Sequence, residues 1–370
     1  MNDLTFPIIF MLIMVTLEGL YLEFKRHIVV DWHDISFNLN SGHIMLWLFR
    51  GLEIFCYGWI AHHFSLNLLK NWHPAWVWVF AIIAWDFGFY WLHRLHHKIP
   101  VLWAIHKVHH QGEQFNLSLA VRNSWYSSLS SIPFFALLAI IGVPLPVFIA
   151  VSILHYSIQF FNHSAVIPRL GILERILVTP LHHKVHHVKD FYYSNRNFGG
   201  SFIIWDKLFG SFEKLPPNYN IGIGGPASSN NPVTASNAPF LALFNIQLPQ
   251  STPIRRFTVN NFLITSATLL LFGWVISYVY FYGYGYDGNT SLPQVVLFLL
   301  LVIGTVAIAG LTDGKRWGLA LWMILAISFP LIFVLLWQWT SLVFLLLSIA
   351  LLVHASALSL GYGRNPYACA

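Results

Sequence analysis

Apolar runs of membrane length recur from one end of this chain to the other, and they leave few folds open. About 20 mostly apolar residues suffice to cross the hydrocarbon layer as a helix. In lipid only helices or closed barrels satisfy their own backbone. Runs of this kind cover residues 4–22, 43–60, 75–92, 262–281, 293–311, 319–337 and 341–358. The first lacks a basic leader and a small-residue cleavage site, so it reads as a retained span and not a signal peptide. The stretch 127–161 is too long for one span. Gly142-Val143-Pro144-Leu145-Pro146 interrupts it, and proline stops a helix there, so a helical hairpin that returns to the face it left is expected.

Charge and composition agree with a lipid environment. Only 9% of residues are charged, against about 25% in a soluble domain. Sixteen Trp, 31 Phe and 15 Tyr suit aromatic belts at the interfaces. The basic balance comes without a basic stripe, so it argues for topology and not for nucleic acid. Because of the hairpin, residues 93–122 and 162–258 share one side. That side holds 13 of the 20 Lys and Arg, which places it in the cytoplasm by the positive-inside rule. Two cysteines, Cys56 and Cys369, make no disulfide framework, and Cys369 is misplaced for prenylation. The expected fold is all-α: a polytopic integral membrane helical bundle with a histidine-rich metal-binding cap on its cytoplasmic face. It divides into N-terminal spans (1–74), a catalytic region with the histidine clusters and the hairpin (75–215), a polar linker (216–258) and a C-terminal four-span region (259–370).

Twelve of the 19 histidines lie between residues 93 and 187, most of them in three clusters: His93-Arg94-Leu95-His96-His97, His106-Lys107-Val108-His109-His110, and His182-His183-Lys184-Val185-His186-His187. Neutral imidazole is the commonest metal ligand among side chains. Spacings of three and four residues put two rings on one helix face. A lone histidine is better explained by packing, but a solvated His-rich loop does not explain a spacing that repeats. His106, His109 and His110 form one H-x-x-H-H set, and His183, His186 and His187 another. His93 and His97 share a helical stripe, with His96 off its angle. His163 follows His155 and Gln159 at the end of the hairpin and is read as a ligand, whereas His155 is read as hydrogen-bonded within the bundle. Eight or more imidazoles exceed the needs of one ion, so two metals are implied. The nitrogen-rich set suits Fe, Cu, Zn or Ni.

Asp86 shares the stripe of His93 and His97 inside an apolar run, where an ionisable group is costly and usually functional. Two readings stand: it orients a ligand histidine, or it pairs with an intramembrane polar group such as Arg50. Glu113, Asn197 and Asp206 are further candidates for supporting the catalytic residues, with ordinary capping or loop hydrogen bonds as the alternative.

These motifs resemble the fatty acid hydroxylase/sterol desaturase superfamily of membrane di-iron enzymes over residues 80–215. Its three histidine boxes correspond to His93…His97, His106…His110 and His183…His187. Trp85 to Arg94 is similar to its lead-in helix, Asn197-Phe198-Gly199 to its N-Y-G element, and Trp205 to Phe212 to its W-D-x-x-F-G-T-F ending. Glu113 to Ser118, Ala120-Val121-Arg122 and the C-terminal runs look closest to the alkylglycerol monooxygenase branch. The resemblance implies His93, His97, His106, His109, His110, His163, His183, His186 and His187 as ligands, with His182 as a further candidate. It implies two Fe ions, O2 as co-substrate and hydroxylation or desaturation of a lipid C–H bond, on an ether lipid, fatty acyl or sterol-like substrate. The chain shows no cytochrome b5 or flavin signature, so electrons are expected from a separate donor protein or a diffusible reductant. Tetrahydropterin is one candidate, although Lys98 stands where the animal members carry an acidic residue. The rival of a different class is a non-catalytic metal- or haem-binding membrane protein, a transporter or electron carrier. It would place its histidines deep in the spans instead of at their ends.

Overall fold

A computed structural model describes residues 5–224, 229–246, 256–283, 291–332, 334–335 and 341–366. Cys369 and the end of the 319–337 run lie outside them. The regular elements of the described chain are helices, joined by one antiparallel pair of three-residue strands, β1 (Phe257–Val259) and β2 (Arg364–Pro366), in the register Phe257↔Pro366, and two isolated β-bridges.

Among the described residues, five helical segments are long and apolar enough to cross a membrane: Thr5–Lys25, Pro74–His96, Asn261–Tyr282, Leu292–Thr312 and Leu342–Ser359. The first comprises α1 (Thr5–Leu20) and a wider final turn; the others are α4, α12, α13 and α15. Between them run α2 (Trp32–Asn40), α3 (His43–Phe64) and α14 (Arg316–Ile332). The expected second span forms as α3 but is not among the five, and it carries Arg50 and Glu53 bonded to each other. Helix starts follow the side chains that satisfy their first N–H groups. Asp31 caps α2, His73 precedes Pro74 in α4, Asn260 caps α12, and Ser291 caps α13 with a proline in its first turn.

By packing, the chain divides into two units: 1–14, 30–45 and 228–370 form one; 15–29 and 46–227 form the other. In the first, α12 packs on α2, α13 and α15, and α13 on α14. The β pair ties the chain before α12 to the chain after α15. The stretch expected to be a linker holds helix α11 (Pro232–Leu243), which also packs on α13.

The second unit carries the histidines. Its hairpin consists of α6 (Ser127–Ile141) and α7 (Leu145–Phe161), both packed on α4. Gly142 ends α6 at φ +110, a backbone conformation that costs glycine nothing and an L side chain a good deal. At 15 and 17 residues the two arms rise only about 22 and 26 Å, short of the roughly 30 Å hydrocarbon layer. The core of this unit is aromatic. Trp85 stacks on Phe135 at 3.7 Å and 7°, Tyr57 stacks on Phe148 at 3.7 Å, and the Tyr57 hydroxyl donates to the Val143 carbonyl at the hairpin bend. Each such pair adds about 0.5–1.5 kcal/mol beyond its buried area. The Trp85 stack seats α4 against α6, and the Tyr57 contacts seat α3 against the hairpin. The opposite face of α4 leaves Trp76, Val79, Ile83 and Phe87 exposed, as a lipid-facing stripe should.

Candidate metal centre

Four chain segments converge beyond the end of α4. The helix ends at His96, with His93 in its last turn and His97 as its C-cap. Pro100 starts α5 (Pro100–His110), whose last turns carry His106, His109 and His110. His163 follows α7, and Pro180 starts the short α8 (Pro180–His186), which carries His183 and His186, with His187 at its C-cap. Short helices begun by proline present i, i+3 and i+4 rings rigidly.

The rings sort into two groups. His93, His97, His106, His110 and His186 form one; His109, His163, His183 and His187 form the other. Within each, one ligand nitrogen per ring lies within 4.8 Å of all the rest. In the first group Nε2 atoms approach at 3.0 Å (His93–His106), 3.1 Å (His97–His110) and 3.2 Å (His106–His110). In the second they approach at 3.2 Å (His109–His163), 3.0 Å (His163–His183) and 3.2 Å (His183–His187). Nitrogens bound at right angles to one transition ion at about 2.1 Å stand about 3.0 Å apart.

Hydrogen-bond chemistry shows that these are not imidazole–imidazole bonds throughout. A carbonyl can only accept, so a ring nitrogen facing one carries the proton. His93 Nδ1 donates to Phe198 O (2.9 Å), His109 Nδ1 to Arg122 O (3.1 Å), His163 Nδ1 to Gln159 O (2.8 Å) and His186 Nδ1 to Arg196 O (2.8 Å). In the neutral ring the Nε2 of each is then a bare lone pair. His109 and His163 thus aim two lone pairs at each other, and the buried Nε2 of His186 has no hydrogen-bond partner. A cation resolves both. The rings stay neutral because burial, above all, disfavours their charged forms. It pushes His186 down to about 3 and His109 to about 4, and with repulsion from neighbouring rings it takes His97, His106, His110, His163, His183 and His187 well below the ordinary value.

Residues 78–211 match the family model described as fatty acid hydroxylase. The chain is also similar to alkylglycerol monooxygenase of Homo sapiens, at 37% identity over 54% of this chain and 43% of the relative. Similarity to the Danio rerio enzyme of that name is 41% over 45% of this chain and 36% of the relative. An ornithine lipid hydroxylase of Rhizobium tropici is 33% identical over 42% of this chain and 48% of its own length. The chain thus spans less than half the length of each of these relatives. No solved structure matches it significantly.

The remaining expected residues take different places. Asn197 and Asp206 hold the loop whose carbonyls meet His186 and His93. Asn197, at φ +52, donates to His182 O and Glu213 O and accepts the Glu213 N–H. Asp206 accepts the N–H groups of Phe198 and Gly199, both at 2.8 Å, and the Ser211 hydroxyl. Burial raises its carboxyl to about 6 against these bonds. Asp86 meets no clustered histidine. It accepts the N–H groups of Ser201 and Phe202 and the Trp205 indole, and lies 3.2 Å from His155 Nδ1. Nor does it pair with Arg50, which bonds Glu53 and Ser152. His155 packs under Gly200, where a Cβ would meet its ring at 2.1 Å. Glu113 is exposed.

His182 stands outside both groups. Its Nδ1 reaches Thr179 and its ring packs edge-on against Phe212. His96, left out on its helical angle, bonds the Ser130 hydroxyl instead. Sequence reasoning missed Glu18. Its buried carboxylate accepts the Leu117 N–H (2.5 Å), the Ser164 hydroxyl (2.7 Å) and the Ala165 N–H (2.9 Å), clamping the loops after α5 and after His163. The signal was present: Glu18 is the sole charged residue of the 4–22 run, the property that drew attention to Asp86. A cavity of about 400 Å³ opens beside the first group and has His97, Trp103, Ile99 and Phe191 in its walls.

Proposed function

We propose that this chain is a membrane lipid hydroxylase in which His93, His97, His106, His110 and His186 hold one iron and His109, His163, His183 and His187 a second. The observation that carries the proposal is the convergence of imidazole nitrogens in two adjacent all-imidazole groups, with the Nε2 lone pairs of His93, His109, His163 and His186 left open by Nδ1–H bonds to carbonyls. Bound there, two irons would supply activation of O2 for hydroxylation, or desaturation, at a lipid C–H bond. The activities for which the relatives are named support a substrate of the ether-lipid or fatty acyl class.

The protein's own part is to hold, exclude and admit. The carbonyls of Arg122, Gln159, Arg196 and Phe198 keep four protons on Nδ1 and so keep four Nε2 atoms open. Phe115 lies over His163 at 5.7 Å, and Phe198 packs against His93, His97 and His186, so apolar rings close the site to water. The cavity walled by His97, Trp103 and Ile99 is the apolar way in. The excess of basic residues on this side supports a cytoplasmic orientation. Electrons then come from a separate donor protein or a diffusible reductant, tetrahydropterin being one candidate.

The test is elemental analysis of the detergent-purified chain together with product analysis after incubation with alkylglycerol and fatty acyl lipids under labelled O2. About two irons per chain and label in the lipid support the reading. A metal-free chain, or turnover that survives His186→Ala, overturns it.

A further inference from the structure

A second cavity adjoins the first, and its chemistry differs. It measures about 310 Å³, and its lining carries Arg94, Lys98 and Arg196 with no acidic side chain. Three cations around one small space repel each other, and nothing in the proposed chemistry requires them. Two are fixed in place. Arg94 Nη1 donates to the Tyr90 hydroxyl (2.6 Å) and to Phe209 O (3.3 Å), and Arg196 Nη1 donates to Gly210 O (2.9 Å) while its guanidinium lies 4.5 Å over the Tyr192 ring. These bonds set the forks without using all five donors of either. Lys98 is exposed, and its ammonium has no partner among the described residues. The nearest counter-charges belong to other contacts: Asp206 is taken up by the 198–199 loop, and Glu213, which attracts Arg196, accepts the Tyr192 hydroxyl.

The two cavities share Lys98, Phe191 and Asn195 in their walls. One end of the joined space is therefore cationic, and the other reaches His97 between Trp103 and Ile99. A ligand suited to both carries an anion at the Arg94–Arg196 end and an apolar body against Ile99, Trp103 and Val188 at the other, where Lys189 and Asp190 also stand in the wall.

We propose that Arg94, Lys98 and Arg196 form a binding site for a phosphate-type anion, the head group of the amphiphile whose apolar part occupies the cavity beside His97. This rests on the hydroxylase reading for what happens at the apolar end, but the anion site is testable without turnover. Arginine forks beside an exposed lysine are a donor set suited to phosphate oxygens. A head group anchored there would fix which carbon of the tail lies near His97, so the site would act as a ruler for regiochemistry.

Equilibrium binding of radiolabelled dodecyl phosphate to the detergent-purified chain, with dodecylglycerol as the neutral probe of equal tail, tests this. The phosphate should bind about tenfold tighter, the worth of one charge-assisted hydrogen bond. Lys98→Glu should abolish that preference while leaving dodecylglycerol binding and metal content unchanged. Lys98→Ala should give an intermediate loss. Competition separates the sources: displacement by inorganic phosphate at matching concentration assigns the site to a soluble phosphate, whereas indifference to it assigns the site to a lipid head group. Equal binding of the two dodecyl probes, or a preference untouched by Lys98→Glu, overturns the proposal. Loss of metal in the wild-type chain with the preference intact would instead count against the hydroxylase reading alone.

Discussion

The carboxylate of Asp206 takes the N–H of Phe198 at 2.8 Å, and the carbonyl of that same residue takes the Nδ1–H of His93 at 2.9 Å. One peptide segment thus relays the position of a buried acid to a ring of the first histidine group. Asp206→Asn preserves shape but removes the charge that accepts two backbone N–H groups. Metal affinity should fall about 10- to 100-fold, as for other groups that orient a ligand from behind. A chelator-competition titration reads this directly, and an affinity equal to wild type would break the relay.

The same carboxyl predicts a pH dependence. Burial raises it to about 6 from an ordinary 3.8, so the folded chain binds the proton more tightly than the unfolded one. The stability it contributes is fully present below about pH 4 and lost as pH rises through about 6, by up to about 3 kcal/mol. In urea titrations of the metal-free chain between pH 4 and 7 stability should rise with pH in both wild type and Asp206→Asn, because the buried histidines take up protons on unfolding, and the rise should be shallower in wild type by the Asp206 contribution; equal steepness in the two would leave Asp206 without a pH-dependent part in stability.

Histidines inside and outside the two groups should separate cleanly. His186→Ala removes the ring whose Nε2 is buried and unpartnered, and His109→Ala removes one of two facing lone pairs. Each should lose metal and lipid turnover. His182→Ala and His96→Ala, whose rings bond Thr179 and Ser130, should keep full metal stoichiometry. Loss of metal in His182→Ala would restore that residue to the ligand set.

Glu18 offers a test at a distance in sequence. Replacing it with Gln leaves one oxygen to serve the Leu117 and Ala165 N–H groups and the Ser164 hydroxyl. The change should cost about 1–3 kcal/mol, the penalty for buried donors deprived of a charged acceptor. Thermal melting checks it, and the variant should melt several degrees below wild type. An unshifted melt would mean that the clamp carries no net energy.

Most of the scaffold was legible because lipid imposes one rule on every span. The break at Gly142 to Pro146 foretold two helices, and α6 and α7 end and begin there. Histidine spacing foretold which rings share a helix face, since the 3.6-residue period is local. It could not foretell which helix meets which. Adjacent residues His109 and His110 fall in different groups, and that division depends on how distant segments of the chain meet. Asp86 shows the same limit. Its depth marked it as a polar anchor, but its partners, Ser201, Phe202 and Trp205, lie 115 to 119 residues away. Its place on the stripe of His93 and His97 suggested contacts that it does not make.

Helices α5 and α8 each contribute to both histidine groups, α5 through His106 and His110 on one side and His109 on the other, α8 through His186 on one side and His183 and His187 on the other. The two groups are therefore yoked. A helix keeps its rise of about 1.5 Å per residue under load, so no loop sets the distance between them and no hinge can lengthen it. A disturbance that turns either helix must deform both sites together, and the pair should assemble, and fail, as a single device.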